Sequence, residues 1–147
     1  MKASIFLRIA SVGALANAAG HAALFMSYRP SHGPAETAVV AAMKANFFSF
    51  GGFMHSYWDL YFGYGLFVLV SSLVEAAILW QLAGLAGNRA ISTRPMIAAL
   101  LLGEVGSAWL MWRYFFLIPI VSHTLLALLL AAALATSSAP PHQPTPA

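Results

Sequence analysis

The feature that most constrains this chain is one long apolar run over residues 96–135. A helix needs about 20 residues to cross the hydrocarbon of a bilayer, so this run is about twice as long as one span. It must therefore fold back once, and Arg113 with Pro119 marks the place where a charge and a helix-breaking residue interrupt it. We predict two helices here, at about 95–115 and 118–136.

Two further apolar runs, residues 5–26 and 60–85, predict spanning helices at about 4–27 and 57–85. The composition agrees, because 61% of the residues are hydrophobic and 7% are charged, whereas a soluble domain carries charge on roughly a quarter of its residues. The chain is therefore predicted to be all-α. It forms a four-transmembrane-helix bundle of up-down-up-down topology, with one membrane domain over residues 1–136.

The first predicted helix also imitates a secretory signal peptide. Lys2 precedes an apolar stretch that ends in the small-residue pattern Ala16-Asn17-Ala18. Arg8 splits that stretch, however, and the apolar character continues to Met26, which is far enough to span a bilayer. We favour a retained helix, with cleavage as the alternative.

The long connection between the first two spans, residues 28–58, has a pattern of its own. Pro34 and Glu36 suit the first turn of a helix, and a helical pattern follows over residues 35–48. This segment is too short to span, so we predict an amphipathic helix that lies on the membrane surface. Gly51-Gly52 then breaks the helix and redirects the chain.

The positive charges near the helix ends give a small bias between the two sides of the membrane. Four lie on the side of the N-terminus and three on the other: Lys2, Arg8, Arg89 and Arg94 against Arg29, Lys44 and Arg113. Because positive loops stay in the cytoplasm, both termini are predicted to be cytoplasmic.

Other compositional features exclude some classes of site. The chain has no cysteine, which excludes disulfides, thiolate metal sites and cysteine nucleophiles. Its basic residues are scattered singly, so we predict no nucleic-acid partner. The proline-rich tail, residues 137–147, is predicted to be disordered.

The stretch FMHSYWDLYFGYGLF, residues 53–67, is dense in aromatic side chains. Amphipathic rings collect at the level of the lipid headgroups, so an interfacial belt explains them without a ligand, and an aromatic pocket is the alternative. Asp59 lies just inside the second predicted helix, at the level where Arg113 ends the third. We predict that these two form an ion pair beneath the headgroups, with a gate or an anionic-ligand contact by Arg113 as the alternative.

Three motifs carry a resemblance to a known group of proteins. They are SYWDLYFGYGLF at residues 56–67, the Gly20-His21 pair, and YFFLIPI at residues 114–120. With them the chain resembles small bacterial four-helix inner-membrane proteins of uncharacterised activity. The resemblance implies a bacterial inner-membrane location and a self-contained bundle, and it carries no activity, substrate or cofactor.

Polar groups inside the hydrocarbon are costly, so each one is a candidate functional residue. Counting about 1.5 Å per residue places Glu75 and Glu104 at one depth, roughly 14 Å below the same surface, where they could meet. His21 and His123 share a shallower level near the opposite surface. Asn17 lies on the same helical face as His21. We predict that these five residues form a polar core.

Four interpretations of this polar core remain open. It can be structural, with neutral glutamates hydrogen-bonded between helices. It can be a proton or ion path, with a proton shared by Glu75 and Glu104 and relayed by His21. It can belong to an enzyme acting on a lipid or other apolar substrate. It can hold haem or a metal through His21 and His123, the least favoured alternative.

We therefore predict a small binding or structural membrane bundle, with a component of a proton- or ion-coupled transporter or a lipid enzyme as the alternatives. No cofactor is predicted. The expected partners are membrane lipid and a second copy of the chain, which would pack against the fourth predicted helix, because that helix has no polar side chain after Thr124 until its end.

Overall fold

A computed structural model of the chain describes residues 2–87 and 92–137. The elements, in chain order, are α1 (Lys2–Met26), α2 (Pro34–Ala45), β1 (Phe47–Phe50), β2 (Phe53–Ser56), α3 (Tyr57–Leu85), α4 (Arg94–Tyr114) and α5 (Leu117–Thr136). Helix dominates, as expected for an all-α class. Two sequence predictions, the charge of Arg89 near a helix end and the disorder of residues 138–147, lie outside the described residues.

Four of these helices, α1, α3, α4 and α5, are long and apolar enough to cross a membrane. All four also carry large hydrophobic side chains on their outside, including Ile9, Phe67, Leu102 and Leu128. A water-soluble protein does not leave such a continuous apolar surface uncovered. The protein is therefore a membrane protein, and each long helix begins and ends within two residues of the expected bounds.

The connection between α1 and α3 differs from the sequence prediction. The amphipathic helix ends at Ala45, and Phe47 and Phe48 lie in a strand. Strands β1 and β2 pair antiparallel, with Phe50 opposite Phe53. Gly51 and Gly52 both have positive φ, 58° and 85°, as a type I′ turn requires, and this turn matches the twist of a two-stranded ribbon. The predicted helix over residues 35–48 is thus wrong in its last turn.

The contacts of the chain divide it into two compact units, one made of residues up to Asn17 with those from Ser72 onward, the other of Ala18–Ser71. The single domain expected over residues 1–136 stays a prediction.

In the first unit, hydroxyl groups of α1 donate to carbonyl oxygens of α3. Ser4 Oγ lies 2.6 Å from the oxygen of Ala83 and Ser11 Oγ lies 2.7 Å from that of Ala76. As α1 advances from Ser4 to Ser11, the partner on α3 moves back from Ala83 to Ala76, so the two helices are antiparallel here. Such bonds need closely packed helices, which small residues allow. The fully buried side chains around them are Leu7, Ala10, Ala14, Leu79, Leu82, Ile97, Leu130 and Ala133.

Helices α4 and α5 of the same unit form an antiparallel hairpin. Phe115 and Phe116 make the turn. At the open end the Arg94 guanidinium donates to the carbonyl oxygens of Leu134 (3.1 Å) and Ser137 (2.8 Å). The Leu134 carbonyl also accepts from the hydroxyl of Ser137 at 2.8 Å, and a cation at this end opposes the helix dipole. The apolar run over residues 96–135 does fold back once, next to Arg113 as expected.

The second unit has a close contact between α1 and α3. The ring of Phe25 lies directly on Gly65, where an added Cβ would overlap it. Its ring centre is 5.3 Å from that of Phe62 and 5.6 Å from that of Tyr61. Glycine is required at position 65 because only a residue without a side chain leaves room for the ring.

Candidate functional site

Three titratable side chains on three helices meet in the first unit. Glu104 of α4 is 5% exposed and is the most buried carboxylate of the described residues. The α4–α5 hairpin brings His123 against it, and α3 brings Glu75 near it. We call these three residues the acid–imidazole cluster.

The bond between Glu104 and His123 fixes which ring nitrogen is engaged. Nδ1 of His123 lies 2.9 Å from Oε2 of Glu104. An ionised carboxylate only accepts hydrogen bonds, so with Glu104 ionised Nδ1 carries the hydrogen. Nε2 is then the nitrogen of His123 that is left to gain or lose a proton.

The carboxyl group of Glu75 lies near that of Glu104. Two neighbouring carboxyl groups among spanning helices do not both ionise cheaply, so a proton on one of them is favoured. Glu104 is therefore the central member of the cluster, with the carboxyl group of Glu75 and the imidazole of His123 as its two neighbours.

Of the two other predicted core residues, His21 belongs to the second unit, so a polar core shared by all five stays a prediction. Nε2 of His21 lies 2.9 Å from the carbonyl oxygen of Gly65, and the imidazole stacks on Phe25 with ring centres 5.4 Å apart. A carbonyl only accepts, so Nε2 of His21 donates. Asn17 is half-buried on α1. Within the described ranges, it is not a hydrogen-bond partner of the cluster.

Asp59 has a local role that the sequence analysis missed. Its Oδ2 accepts from both the backbone N–H and the hydroxyl of Ser56, each at 2.8 Å, and its own N–H donates to Ser56 Oγ at 3.1 Å. Ser56 and Asp59 thus form a reciprocal capping box at the start of α3. The spacing Ser-x-x-Asp in SYWD was the signal for it.

Arg113 lies 5.4 Å from the centre of the Tyr114 ring, measured from its guanidinium carbon. Such a stack is a favourable cation–π contact. Arg113 and Asp59 belong to different units, and their ion pair stays a prediction.

The aromatic stretch at the start of α3 is open. Tyr57, Tyr61 and Tyr64 are all exposed. Lys44 places its Nζ 4.6 Å from the centre of the Trp58 ring. Exposed rings beside a cation are the arrangement typical of the headgroup level of a membrane.

Two further features of the described residues bear on cofactors and substrates. Within residues 2–87 and 92–137 no group of three or more His, Asp or Glu side chains is arranged to hold a metal ion. A shallow groove of about 250 Å³ runs along α4 and α5, and apolar atoms form nearly all of its surface. It is lined by Leu101, Val105, Ala108, Thr124, Ala127, Leu128 and Ala131.

A second cluster, outside the spanning helices, is centred on Glu36. Its Oε2 accepts from the backbone N–H groups of Ser31 and His32, both at 2.7 Å, and its Oε1 accepts from the Tyr28 hydroxyl at 2.7 Å. The His32 amide and the Tyr28 hydroxyl lower the pKa of Glu36 to about 2, and the same bond raises the pKa of Tyr28. Sequence analysis placed Glu36 at the helix start without seeing that it orders the loop.

Fold and site together define a helical membrane protein with a carboxyl–imidazole cluster among its spanning helices. Comparison of the chain with protein-family models, with curated proteins and with solved structures found no match.

Proposed function

We propose that the chain is a multi-pass protein of a bacterial inner membrane, with four spans in up-down-up-down order, α2 at the membrane surface and both termini in the cytoplasm. The antiparallel α4–α5 hairpin supports the order of the last two spans, and the bias of Lys and Arg supports the orientation. A reporter enzyme that is active only in the periplasm should be silent when fused after Ala147. Activity there would overturn the orientation or the retained α1.

We further propose that the chain is a small binding or structural bundle whose acid–imidazole cluster holds protons. One observation carries this proposal: Glu104 is hydrogen-bonded to Nδ1 of His123 and lies near the carboxyl group of Glu75. Each contact joins two spanning helices, so the cluster ties α3, α4 and α5 together. A polar contact between helices is useful in a membrane, where no hydrophobic effect drives them together.

The charge of the cluster explains why protons are its natural ligand. A net charge among spanning helices is costly. One proton between the two carboxyl groups and a second on His123 leave a neutral cluster, with one carboxylate facing one imidazolium. Loss of either proton leaves a net negative charge, so proton binding is coupled to the stability of the bundle.

Infrared difference spectroscopy across a pH titration tests this proposal, because a protonated carboxyl group has a band of its own. We expect that band at neutral pH, and we expect it to disappear in either Glu75→Gln or Glu104→Gln. Glu36→Gln is the matched control, because Glu36 lies outside the spanning helices and is bonded to residues of its own loop. Absence of the band at neutral pH would overturn the proposal.

Proton transfer across the membrane is the second candidate function, and the exposure of the cluster favours it. The His123 side chain is 17% exposed and that of Glu104 is 6% exposed. The imidazole is therefore one accessible end of the cluster, Glu104 is its buried centre, and Glu75, which is only partly buried, is the other end. A component of a proton-coupled transporter needs a path with accessible ends.

A proteoliposome assay distinguishes proton transfer across the membrane from proton binding within the bundle. With a pH-sensitive dye trapped inside, a relay should acidify the lumen under an imposed gradient, and His123→Asn should stop it. A structural cluster should give no flux in the wild-type protein. The lipid-enzyme alternative has less support, since the described groove is lined without Glu75, Glu104 or His123.

We also propose that α5 contacts a second copy of the chain as well as lipid. Leu125 and Leu128 are exposed on it, and small residues line the adjoining groove. Because the chain has no cysteine, Leu128→Cys introduces a single thiol. Oxidation in membranes should cross-link it into dimers, whereas Leu66→Cys on α3 should stay monomeric. Equal cross-linking of both would remove the support for α5.

A further inference from the structure

The β1–β2 hairpin presents large apolar side chains away from the rest of the protein. Phe50 is 67% exposed and Phe53 is 70% exposed, and they pair across the strands next to the Gly51-Gly52 turn. Phe47 and Met54, one on each strand, are exposed to a similar degree. A two-stranded ribbon in water is marginally stable at best. This one has no apolar cover at its tip.

The base of the hairpin is fixed at the edge of a membrane span. β2 ends at Ser56 and α3 begins at Tyr57, with the Ser56–Asp59 capping box at the junction. Phe48 packs on Tyr57, with ring centres 4.7 Å apart. Tyr57 and Trp58 are residue types that collect at the headgroup level, so the base lies at that level too.

The length of the strands limits where the tip can be. Each strand has four residues, and a strand rises about 3.4 Å per residue, so the tip lies within about 14 Å of the start of α3. The tip is therefore tethered beside the bilayer. Lipid therefore surrounds the tip at a high effective concentration, whereas a protein partner would first have to diffuse to it.

We propose that the tip of this hairpin, formed by Phe50, Gly51, Gly52 and Phe53, inserts into the bilayer leaflet that α3 enters at Tyr57. The two phenylalanines occupy the boundary between headgroups and acyl chains. Tethering favours lipid over a protein partner. The cation of Lys44, on the Trp58 ring at 4.6 Å, stands beside the hairpin where it matches the phosphate groups of that leaflet.

Insertion also explains why the hairpin leaves its large apolar side chains uncovered by the rest of the protein. Apolar area removed from water stabilises by about 25 cal/mol per Å², and the hairpin gains little of this from the protein itself. Lipid supplies the missing cover. The hairpin then anchors the connection between α1 and α3 at a fixed depth.

Single-cysteine labelling tests the proposal without removing any native thiol. Phe50→Cys, Phe53→Cys and Met54→Cys are each labelled with an environment-sensitive fluorophore, in phosphatidylcholine nanodiscs that hold one copy of the chain. These positions are exposed, so the label replaces no buried contact. We expect emission shifted to the blue, and quenching that is stronger by lipid spin-labelled near the headgroup than by lipid spin-labelled near the chain end.

Two control positions give the signals expected in water and deep in the bilayer. Ser31→Cys, in the exposed loop before α2, should report water and little quenching. Val70→Cys, exposed on α3, should be quenched most by the chain-end label. The Val70 result tests whether α3 spans, separately from the hairpin and from the role of the acid–imidazole cluster.

Tip labels that emit like Ser31→Cys, with Val70→Cys quenched, would overturn the insertion. A blue shift that lipid quenchers leave unchanged would overturn it as well, because it would show cover by protein. A blue shift that occurs only in nanodiscs with two copies would assign the hairpin to a dimer contact and reject lipid as its occupant.

Discussion

Nδ1 of His123 lies 2.9 Å from Oε2 of Glu104, across the antiparallel pair of α4 and α5. Glu104 is almost fully buried, so its carboxylate has little water to replace this partner. Removing one member of a buried polar pair costs the desolvation of the other, about 1–3 kcal/mol. The bond is therefore expected to contribute to stability as well as to proton binding.

A double-mutant cycle measures this bond. Glu104→Gln and His123→Ala should each lower the free energy of unfolding, and the double variant should lose less than the two losses together, with a coupling of about 0.5–3 kcal/mol. Denaturant titration in detergent micelles is the measurement. Purely additive losses would show that the two side chains do not depend on each other.

Ser122→Ala supplies the matched control for this cycle. Ser122 is beside His123 on α5, and its hydroxyl donates to the carbonyl of Ile118 in the same helix, at 3.1 Å. Combined with Glu104→Gln it should give additive losses, because the two side chains share no partner. Coupling in the control would point to a general loosening of α5.

The long helices could be predicted because apolar length is a strong signal. A run over residues 96–135 has few ways to fit a bilayer, and the turn at Phe115 and Phe116 is next to the expected position. The approach of Glu75 to Glu104 also follows from counting the rise along two helices of known ends. Both features can be predicted by counting residues along the chain, without knowledge of how the side chains pack.

The partner of His123 was not predictable in the same way. Depth counting placed His123 with His21 at one level, but the long side chains of Glu104 and His123 bridge the difference in depth between them. Helix rotation decides such contacts, and side-chain packing sets the rotation. A count of residues contains no information about it.

The β-hairpin was missed because its sequence reads equally as a helix. Short apolar runs such as FFSF and FMHS do not distinguish strand from helix by period. The Gly51-Gly52 pair was seen as a helix breaker. A Gly-Gly pair between β-favouring aromatic residues is also typical of a two-residue hairpin turn. The structure shows such a turn, because both glycines have positive φ.

The contact of Phe25 with Gly65 leads to a second prediction. Gly65→Ala places a methyl group where the Phe25 ring now lies, so we expect a loss of about 1–3 kcal/mol, as for overpacking in a close-packed site. Gly63→Ala is the matched control, two positions earlier on the same helix, where an added Cβ has open space. It should be neutral or slightly stabilising, because alanine is the better helix former. Thermal unfolding in detergent compares the two.

Phe25→Leu should partly rescue Gly65→Ala, because the smaller side chain gives the new methyl group room. His21 adds a second readout of the same site, since its Nε2 donates to the Gly65 carbonyl and its ring stacks on Phe25. Equal stability of the Gly63 and Gly65 variants would mean that Phe25 moves aside at no cost.

The capping box at the start of α3 gives a third prediction. Ser56 is buried and bonded to Asp59 in both directions, so Ser56→Ala should cost about 1 kcal/mol. Asp59→Ala should also destabilise, and the double variant should lose little more than one of the singles. Unfolding in detergent is the measurement. Full additivity would mean that the two residues act separately.

Charge reversals at Asp59 and Arg113 test the predicted ion pair. If Asp59 pairs with Arg113, then Asp59→Arg combined with Arg113→Asp should recover stability that each single reversal loses. If Asp59 acts through the capping box alone, the double reversal should be no better than Asp59→Arg. Arg113→Ala by itself should then leave stability close to that of the wild-type protein.

The loop before α2 gives the fourth prediction, which concerns pH. The His32 amide and then the Tyr28 hydroxyl lower the pKa of Glu36 from 4.5 to about 2. A lowered pKa means that the folded loop binds fewer protons than the unfolded chain, so the stabilisation is fully present above about 4.5 and is lost as pH falls through about 2. The loop should therefore stay ordered well below the usual range of a glutamate.

Nuclear magnetic resonance of the protein in micelles can follow the Ser31 and His32 amides, which donate to Glu36 Oε2. Their shifts should titrate together with a midpoint near 2, and in Glu36→Gln this titration should vanish. The Thr37 amide, which donates to the Gly33 carbonyl, is the internal control and should change little. A midpoint near 4.5 would show that the amides do not hold the carboxylate in solution, and the loop would then lose its order at the pH of an ordinary exposed glutamate.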